Sequence, residues 1–260
     1  KEILDNGKGG LFFKMKNVIF TLITFSTIFG QQTIGEDPLN SPMHIFALPH
    51  KAPLQKIEPS GMPILAHFDS LELLLPCRGV PVPKRASRLP NAPRTYRSGT
   101  HRGIDFFANW GTSIFTPAGG VVVRADHDYK EVPPKFRVDL LEESAQVGQT
   151  PSDVFHNILL GKAVFLDHGF DLVPGYRVIT IYAHMSTIDK NIIPGARVDR
   201  GDFLGRSGNT GTKDSTLGTR AGAHLHWELI LQDANGEYYM GQGFPYSDLY
   251  KMLNRIFVTE

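Results

Sequence analysis

From Tyr96 onward the chain is written in short apolar runs, at 104–107, 113–115, 120–125, 163–167, 177–182, 203–205 and 224–231, each followed by glycine or a turn signal. Runs of that length and spacing do not make long helices; they read as an antiparallel β-domain. The 26 glycines and 18 prolines point the same way, toward short strands and many turns. Pro194-Gly195 and Asn209-Thr210-Gly211 are turn signals. The glycine loop at 208–211 reads as a hairpin turn and not as a phosphate cradle, because no P-loop helix start follows it. Residues 126–161 interrupt the strand series as an insertion, with helical starts predicted at Asp139 and Ser152. Near the end, Leu249, Tyr250, Leu253 and Ile256 recur at helical spacing, which predicts a short closing helix over 247–257. The expected fold is mainly β: an antiparallel, sandwich-like sheet domain with a partly helical insertion and a short C-terminal helix.

Upstream of Tyr96 the texture differs. Met15-Lys16-Asn17, the apolar run at 18–29 and Gly30 have the order of a secretory signal peptide over residues 15–30. Twelve apolar residues are too few to span a bilayer as a helix. Residues 1–14 then precede the expected start and read as an upstream extension. Residues 31–95 form a Pro-rich lead-in in which only 64–75 has a regular pattern, so the main domain is expected at 96–260. Formal charge is +1 with no basic cluster, which excludes a nucleic-acid partner. Cys77 is the only cysteine, so no intrachain disulfide forms. Export to the periplasm, cell envelope or exterior, with no membrane span left after signal removal, is the expected location; oligomeric state is left open.

The chemistry concentrates in two distant segments. His101-Arg-Gly-Ile-Asp105 supplies an imidazole and a carboxylate, and Ala221-Gly-Ala-His224-Leu-His226-Trp-Glu228 supplies two more imidazoles. A catalytic zinc takes three protein ligands and leaves one position for water, so four candidate groups leave one histidine spare for proton work. If 224–231 is a strand, His224 and His226 share a face about 6.6 Å apart. His101 and Asp105 would be about 13 Å apart on a straight strand. The chain must therefore bend between them, and Gly103 is expected to permit an unusual backbone angle there.

Several pieces, in order, resemble the LytM/lysostaphin-type zinc peptidases of family M23: 101–106, 116–123, 167–169, 181–186, 194–198, 205–211 and 224–228. The resemblance covers roughly 96–231, with the insertion at 126–161 unmatched. It implies an antiparallel sheet with an open groove that holds zinc, with His101, Asp105 and His226 as metal ligands and His184 and His224 as the non-ligand pair. It also implies peptidoglycan peptides as substrate, cut at bonds involving glycine or D-alanine. In some relatives an N-terminal segment blocks the groove, which raises the same question for residues 31–95.

Two neutral imidazoles and one carboxylate leave such a site near +1, which suits a zinc-activated water. We expect His224 to be the base, because its strand spacing keeps it beside the metal, and His184 to hold the oxyanion, the two roles being exchangeable. Tyr182 and Asn209 are expected to line the substrate groove. Glu228 is open between a general base, a partner of His226 and a plain strand-end carboxylate. His168 reads as structural, His127 and His156 as surface residues, and His44, His50 and His67 as loop residues. The leading function is an exported zinc metalloendopeptidase. The alternatives are a non-catalytic wall-binding or regulatory module and an endopeptidase for extracellular proteins.

Overall fold

A computed structural model describes residues 61–258. The signal peptide and upstream extension expected over 1–30, and His44 and His50, lie outside the described residues. In chain order the strands are β1 (Leu73–Leu74), β2 (Pro93–Arg94), β3 (Gly99–Thr100), β4 (Ile104–Phe106), β5 (Ser113–Phe115), β6 (Gly120–Ala125) and β7 (Val164–Val173). They continue as β8 (Tyr176–Ala183), β9 (Met185–Ile188), β10 (Arg197–Val198), β11 (Phe203–Ser207), β12 (Leu225–Asp233), β13 (Gly236–Tyr239) and β14 (Phe257–Val258). A large sheet runs β10-β6-β7-β8-β12-β13, with β4 added beside the start of β12. A second sheet is β5-β11-β9. All these pairings are antiparallel, as the short-run pattern predicts.

Strand alternation divides the large sheet into two faces with different duties. On β12, Leu225, Trp227, Leu229 and Leu231 join the main core, together with Val178 and Tyr182 from β8 and Ile104 and Phe106 from β4. The opposite face carries His226, Glu228 and Ile230 on β12, paired with Ala183, Ile181 and Ile179 on β8. Ile179, Ile181, Ala183 and Ile230 form a second cluster with Phe155, Leu159 and Leu160 from the insertion. The insertion is therefore the cover of the sheet face that bears the histidine. Its helix spans Pro134–Val147, earlier than the Asp139 start predicted, because the fixed φ of proline suits the first helical turn. It ends on Gly148 in the left-handed conformation, φ 81°. The second start, at Ser152, is where a turn of α-helix leads into a π-helical stretch over Phe155–Leu159. The closing helix spans Tyr246–Ile256 and buries Leu249, Met252, Leu253 and Ile256.

Residues 61–95 are not an extension. Phe68, Leu71, Leu73, Cys77, Val82 and Leu89 all belong to the main core. β1 pairs in parallel with β14, so this segment is stitched to the chain end. Proline-rich sequence hides this role because it lacks long periodic runs, and burial needs only a few well-placed apolar residues. The 64–75 segment holds one 3-10 turn, Leu65–Phe68, and β1. His67 in that turn is half-buried and bonds the Ile64 amide through Nδ1. Leu73 is fully buried. We expect Leu73→Ala to cost about 2–5 kcal/mol in chemical denaturation, a loss a mere tether would not show.

Candidate active site

Three side chains converge on one point. His101 Nε2 lies 2.9 Å from Asp105 Oδ1 and 3.1 Å from His226 Nδ1, and His226 Nδ1 lies 2.8 Å from Asp105 Oδ1. The antiparallel register of β4 and β12 sets His226 directly opposite Asp105. His101 reaches them because the chain bends at Gly103 before β4 begins. The bend was expected, but the reason differs. The φ of Gly103 is not in the left-handed region; a Cβ there would run into the Trp227 carbonyl oxygen and lie 2.9 Å from Glu228 Cγ and 3.0 Å from His226 Cε1. Glycine is required because the two segments touch.

The outward contacts of each ring decide its tautomer. His101 Nδ1 faces the Leu89 carbonyl at 2.9 Å, and a carbonyl only accepts, so Nδ1 donates and Nε2 carries a lone pair. His226 Nε2 donates to Glu228 Oε1 at 2.8 Å, leaving its Nδ1 as a lone pair. Asp105 Oδ2 accepts from Arg94 at 2.9 Å, so Oδ1 alone turns inward. Three acceptor atoms thus aim at one another with no donor between them, which is unfavourable unless a cation or proton sits there. Ligand atoms around a tetrahedral zinc lie about 3.3 Å apart, from bonds of about 2.0–2.1 Å, only a few tenths of an ångström wider than here. The donor set fits a small divalent cation. In its absence a proton is the substitute: burial pulls the His226 imidazole down, but hydrogen bonds to Asp105 and Glu228 outweigh this and push it up to about 9. Burial raises the Asp105 carboxyl, yet His101 and His226 hold it well below the usual range. The His101 imidazole is lowered, chiefly by burial.

Residues 144–238 match the family model described as Peptidase family M23. Over that stretch the chain is similar to peptidase family M23. It is similar to the peptidoglycan DD-endopeptidase ShyA of Vibrio cholerae serotype O1, with 30% identity over 141 residues, 54% of this chain and 22% of that protein. The chain thus spans about a fifth of the length of this curated relative. Among solved structures, the catalytic domain of the antimicrobial peptidase lysostaphin from Staphylococcus simulans matches with 17% identity, covering 70% of this chain and 96% of that one, at a TM-score of 0.34. A zinc-containing peptidase from Vibrio cholerae matches with 18% identity, covering 64% and 39%, at a TM-score of 0.34.

Around the convergent triad the chain holds two further histidines. His224 Nδ1 donates to the Gly222 carbonyl at 2.7 Å, and its Nε2 lies 3.6 Å from Asp105 Oδ1. His184 Nδ1 donates to the Thr210 carbonyl at 2.7 Å, and its ring centroid is 4.7 Å from that of His224. His184 has φ 61°, a left-handed conformation that costs a non-glycine residue of order 1 kcal/mol or more and sits where β8 ends. Burial depresses both imidazoles, His184 well below its ordinary value with help from His224 and His226. Both are therefore neutral near pH 7, and each keeps a lone pair on Nε2. That tautomer bears on the expected oxyanion role: neutral His184 has no Nε2 proton to donate.

Glu228 is fully buried and lies between His226 and Arg102, whose Nε and Nη2 reach Oε2 at 3.2 and 3.0 Å. Burial raises its carboxyl, but Arg102 and His226 hold it far below the usual range. It is therefore anionic near pH 7 and orients His226, and it would strengthen that ring if His226 held a metal. Arg94, Arg102 and the Leu89 carbonyl escaped the sequence reading. Arg102 had a visible signal, its place inside the His101–Asp105 motif, whereas Arg94 and Leu89 act through tertiary contact alone.

Tyr182 and Asn209, expected in the groove, are fully buried instead. Tyr182 points to the core face, where Thr180 Oγ1 donates to its hydroxyl at 3.2 Å. Asn209 Nδ2 binds the Thr219 and Ala221 carbonyls at 2.9 Å each, tying down the approach to His224. The 208–211 loop is not a hairpin; it leads into a one-turn helix over Lys213–Thr216 and supplies the carbonyl that fixes His184. His156 is buried, not a surface residue: the insertion folds it under the sheet, with Nδ1 on the Ser152 carbonyl at 2.7 Å, and burial with nearby Arg102 lowers it to about 4. His127 is half-buried with Nε2 on the Ile192 carbonyl at 2.8 Å. His168 is structural, spanning the Gly119 carbonyl and Thr180 Oγ1 at 2.7 Å each.

Because the Glu228 carboxylate polarises His226, we expect Glu228→Gln to weaken zinc binding about 10–100-fold, read by competition with a chromophoric chelator. Unchanged affinity would refute its part in building the site.

Proposed function

We propose that this chain is an exported zinc metalloendopeptidase that hydrolyses peptide cross-links of peptidoglycan. The observation that carries this reading is the convergence of three lone pairs beside two neutral imidazoles in one groove. His101, Asp105 and His226 would hold the ion. Bound zinc would supply Lewis acidity, acidifying a water molecule and polarising the scissile carbonyl.

The protein's own groups handle the protons. His224 Nε2, close to Asp105, accepts a proton from the attacking water. His184 Nε2 accepts the other hydrogen of that water and orients it. Each ring is pinned through Nδ1 by a backbone carbonyl, so neither needs to reorganise as the proton moves. Once protonated, His224 becomes a donor and passes its proton to the leaving amine. The oxyanion role first expected of His184 would be available only after that ring gained a proton. Peptidoglycan as substrate is supported by the DD-endopeptidase activity of the Vibrio relative and by the open groove of about 470 Å³ around the histidines.

The test is digestion of purified peptidoglycan, with and without chelator, followed by mass spectrometry of the released muropeptides. Intact metal with no cleavage would favour a regulatory module instead. His224→Ala should keep zinc and lose about 10²–10⁴ in kcat, whereas His226→Ala should lose both zinc and activity. Equal zinc loss in the two variants would overturn the division of roles. The pH profile carries a sign. Burial lowers the His224 imidazole below 6.5, so the base stays neutral and competent as pH falls to that value. We expect kcat/KM to decline only at pH below 6.5, as His224 takes up a proton. An acid limb centred above it would assign the base elsewhere.

A further inference from the structure

Two buried arginines in the groove have no carboxylate within ion-pair distance among the described residues; Glu228 acts on Arg97 and Glu131 on Arg137 only through space. Arg97 and Arg137 are each 8% exposed, and among the described residues neither makes an ion pair with a carboxylate. Arginine is seldom buried to that degree unless paired, because the desolvated charge must be compensated. Their short-range contacts are backbone carbonyls, an aromatic face and, for Arg97, a hydrogen bond to the Tyr96 side chain. Arg97 Nη2 donates to the Thr100 carbonyl at 2.6 Å, and its guanidinium stacks over Phe155 at 4.6 Å. Arg137 Nε donates to the Gly211 carbonyl at 3.3 Å. Arg102 supplies the contrast: burial would lower it, but Glu228 and Glu237 outweigh that and raise it. For Arg97 and Arg137 burial is the leading influence, and both guanidinium pKa values fall.

The two groups act in one place. Both line the groove that His101, Asp105, His184 and His224 also line. The Tyr96 phenol interacts electrostatically with both guanidiniums. Arg137 holds the Gly211 carbonyl while His184 holds the adjoining Thr210 carbonyl, which puts Arg137 on the His184 side. A Cβ at residue 99 would meet Arg97 Nη1, so glycine there leaves the guanidinium its observed position. Arg88 and Lys213 add positive charge to the same walls, and Asp105 is the only acid lining them among the described residues. Arg137 comes from the inserted helix, so the insertion contributes a functional group as well as a cover.

We propose that Arg97 and Arg137 form a carboxylate-binding subsite that recognises a free carboxylate on the substrate peptide. The choice of peptide rests on the hydrolase reading above; the existence of an anion site does not. Planar guanidiniums bind carboxylates in a bidentate fork, and a charge-assisted pair inside a partly desolvated groove discriminates strongly against an uncharged analogue. The subsite favours cross-links in which D-alanyl or diamino-acid residues carry a free carboxylate. It gives no advantage to a glycine bridge, which has none along its length.

The experiment is calorimetric titration of the zinc-loaded full chain with D-alanyl-D-alanine and with its C-terminal amide. Wild-type protein should prefer the acid by roughly 10–100-fold, the size of one or two charge-assisted hydrogen bonds. In the Arg97→Gln, Arg137→Gln double variant the ratio should fall close to one. Arg137→Lys, which keeps the charge and loses the fork, should retain an intermediate preference. If the wild type does not discriminate, or the double variant keeps its preference, the subsite is wrong; the second result would place the carboxylate on the metal. Where the double variant does not fold, Arg137→Gln alone carries the same comparison. Titration reads binding without turnover, so a failure to digest peptidoglycan would sink the hydrolase reading and leave this result standing or falling by itself.

Discussion

The register between β4 and β12 is the constraint on which the site depends. It sets Asp105 opposite His226 on one face, while Ile104, Phe106, Leu225 and Trp227 fill the core on the other. Strand periodicity is two, so a slip of one residue would send the carboxylate and the imidazole into the core and bring the apolar residues out. The core therefore enforces the geometry of the ligands. Trp227, fully buried between His226 and Glu228 in sequence, is the anchor that makes such a slip costly.

Around this register the protein fixes each imidazole from behind. Leu89, Thr210 and Gly222 lend carbonyls to His101, His184 and His224, and Glu228 lends a carboxylate to His226. Every ring then presents a chosen nitrogen to the groove without needing to select a tautomer during reaction. The supports come from regions far apart in the chain: the Pro-rich lead-in, the 208–211 loop and β12. The left-handed backbone at His184 is the strain accepted in return for aiming its ring.

The insertion links architecture to chemistry. Phe155, Leu159 and Leu160 cover the face that carries Glu228, which keeps Glu228 and His226 out of water while Arg102 stays half-buried. In that setting the Arg102–Glu228–His226 chain is electrostatically strong, and it holds His226 in place. The same insertion brings Arg137 to the groove. A segment that reads as an interruption of the strand pattern is thus a wall, a lid over buried charge and a source of a binding group.

The local pattern of residues was enough to predict the antiparallel strands, the inserted and closing helices, and that His101, Asp105 and His226 come together. Periodicity and spacing are short-range properties, and a two-residue strand repeat decides which side chains share a face. Tertiary structure alone decided the rest. Tyr182 and Asn209 lie in the interior because neighbouring elements cover them, and residues 61–95 belong to the core because β1 meets β14. The tautomer of each imidazole, the pairing of Glu228 with Arg102 and the placing of Arg97 and Arg137 on one groove all depend on partners distant in the chain. Those are properties of assembled neighbours, set by burial and hydrogen bonding that no single stretch of sequence contains.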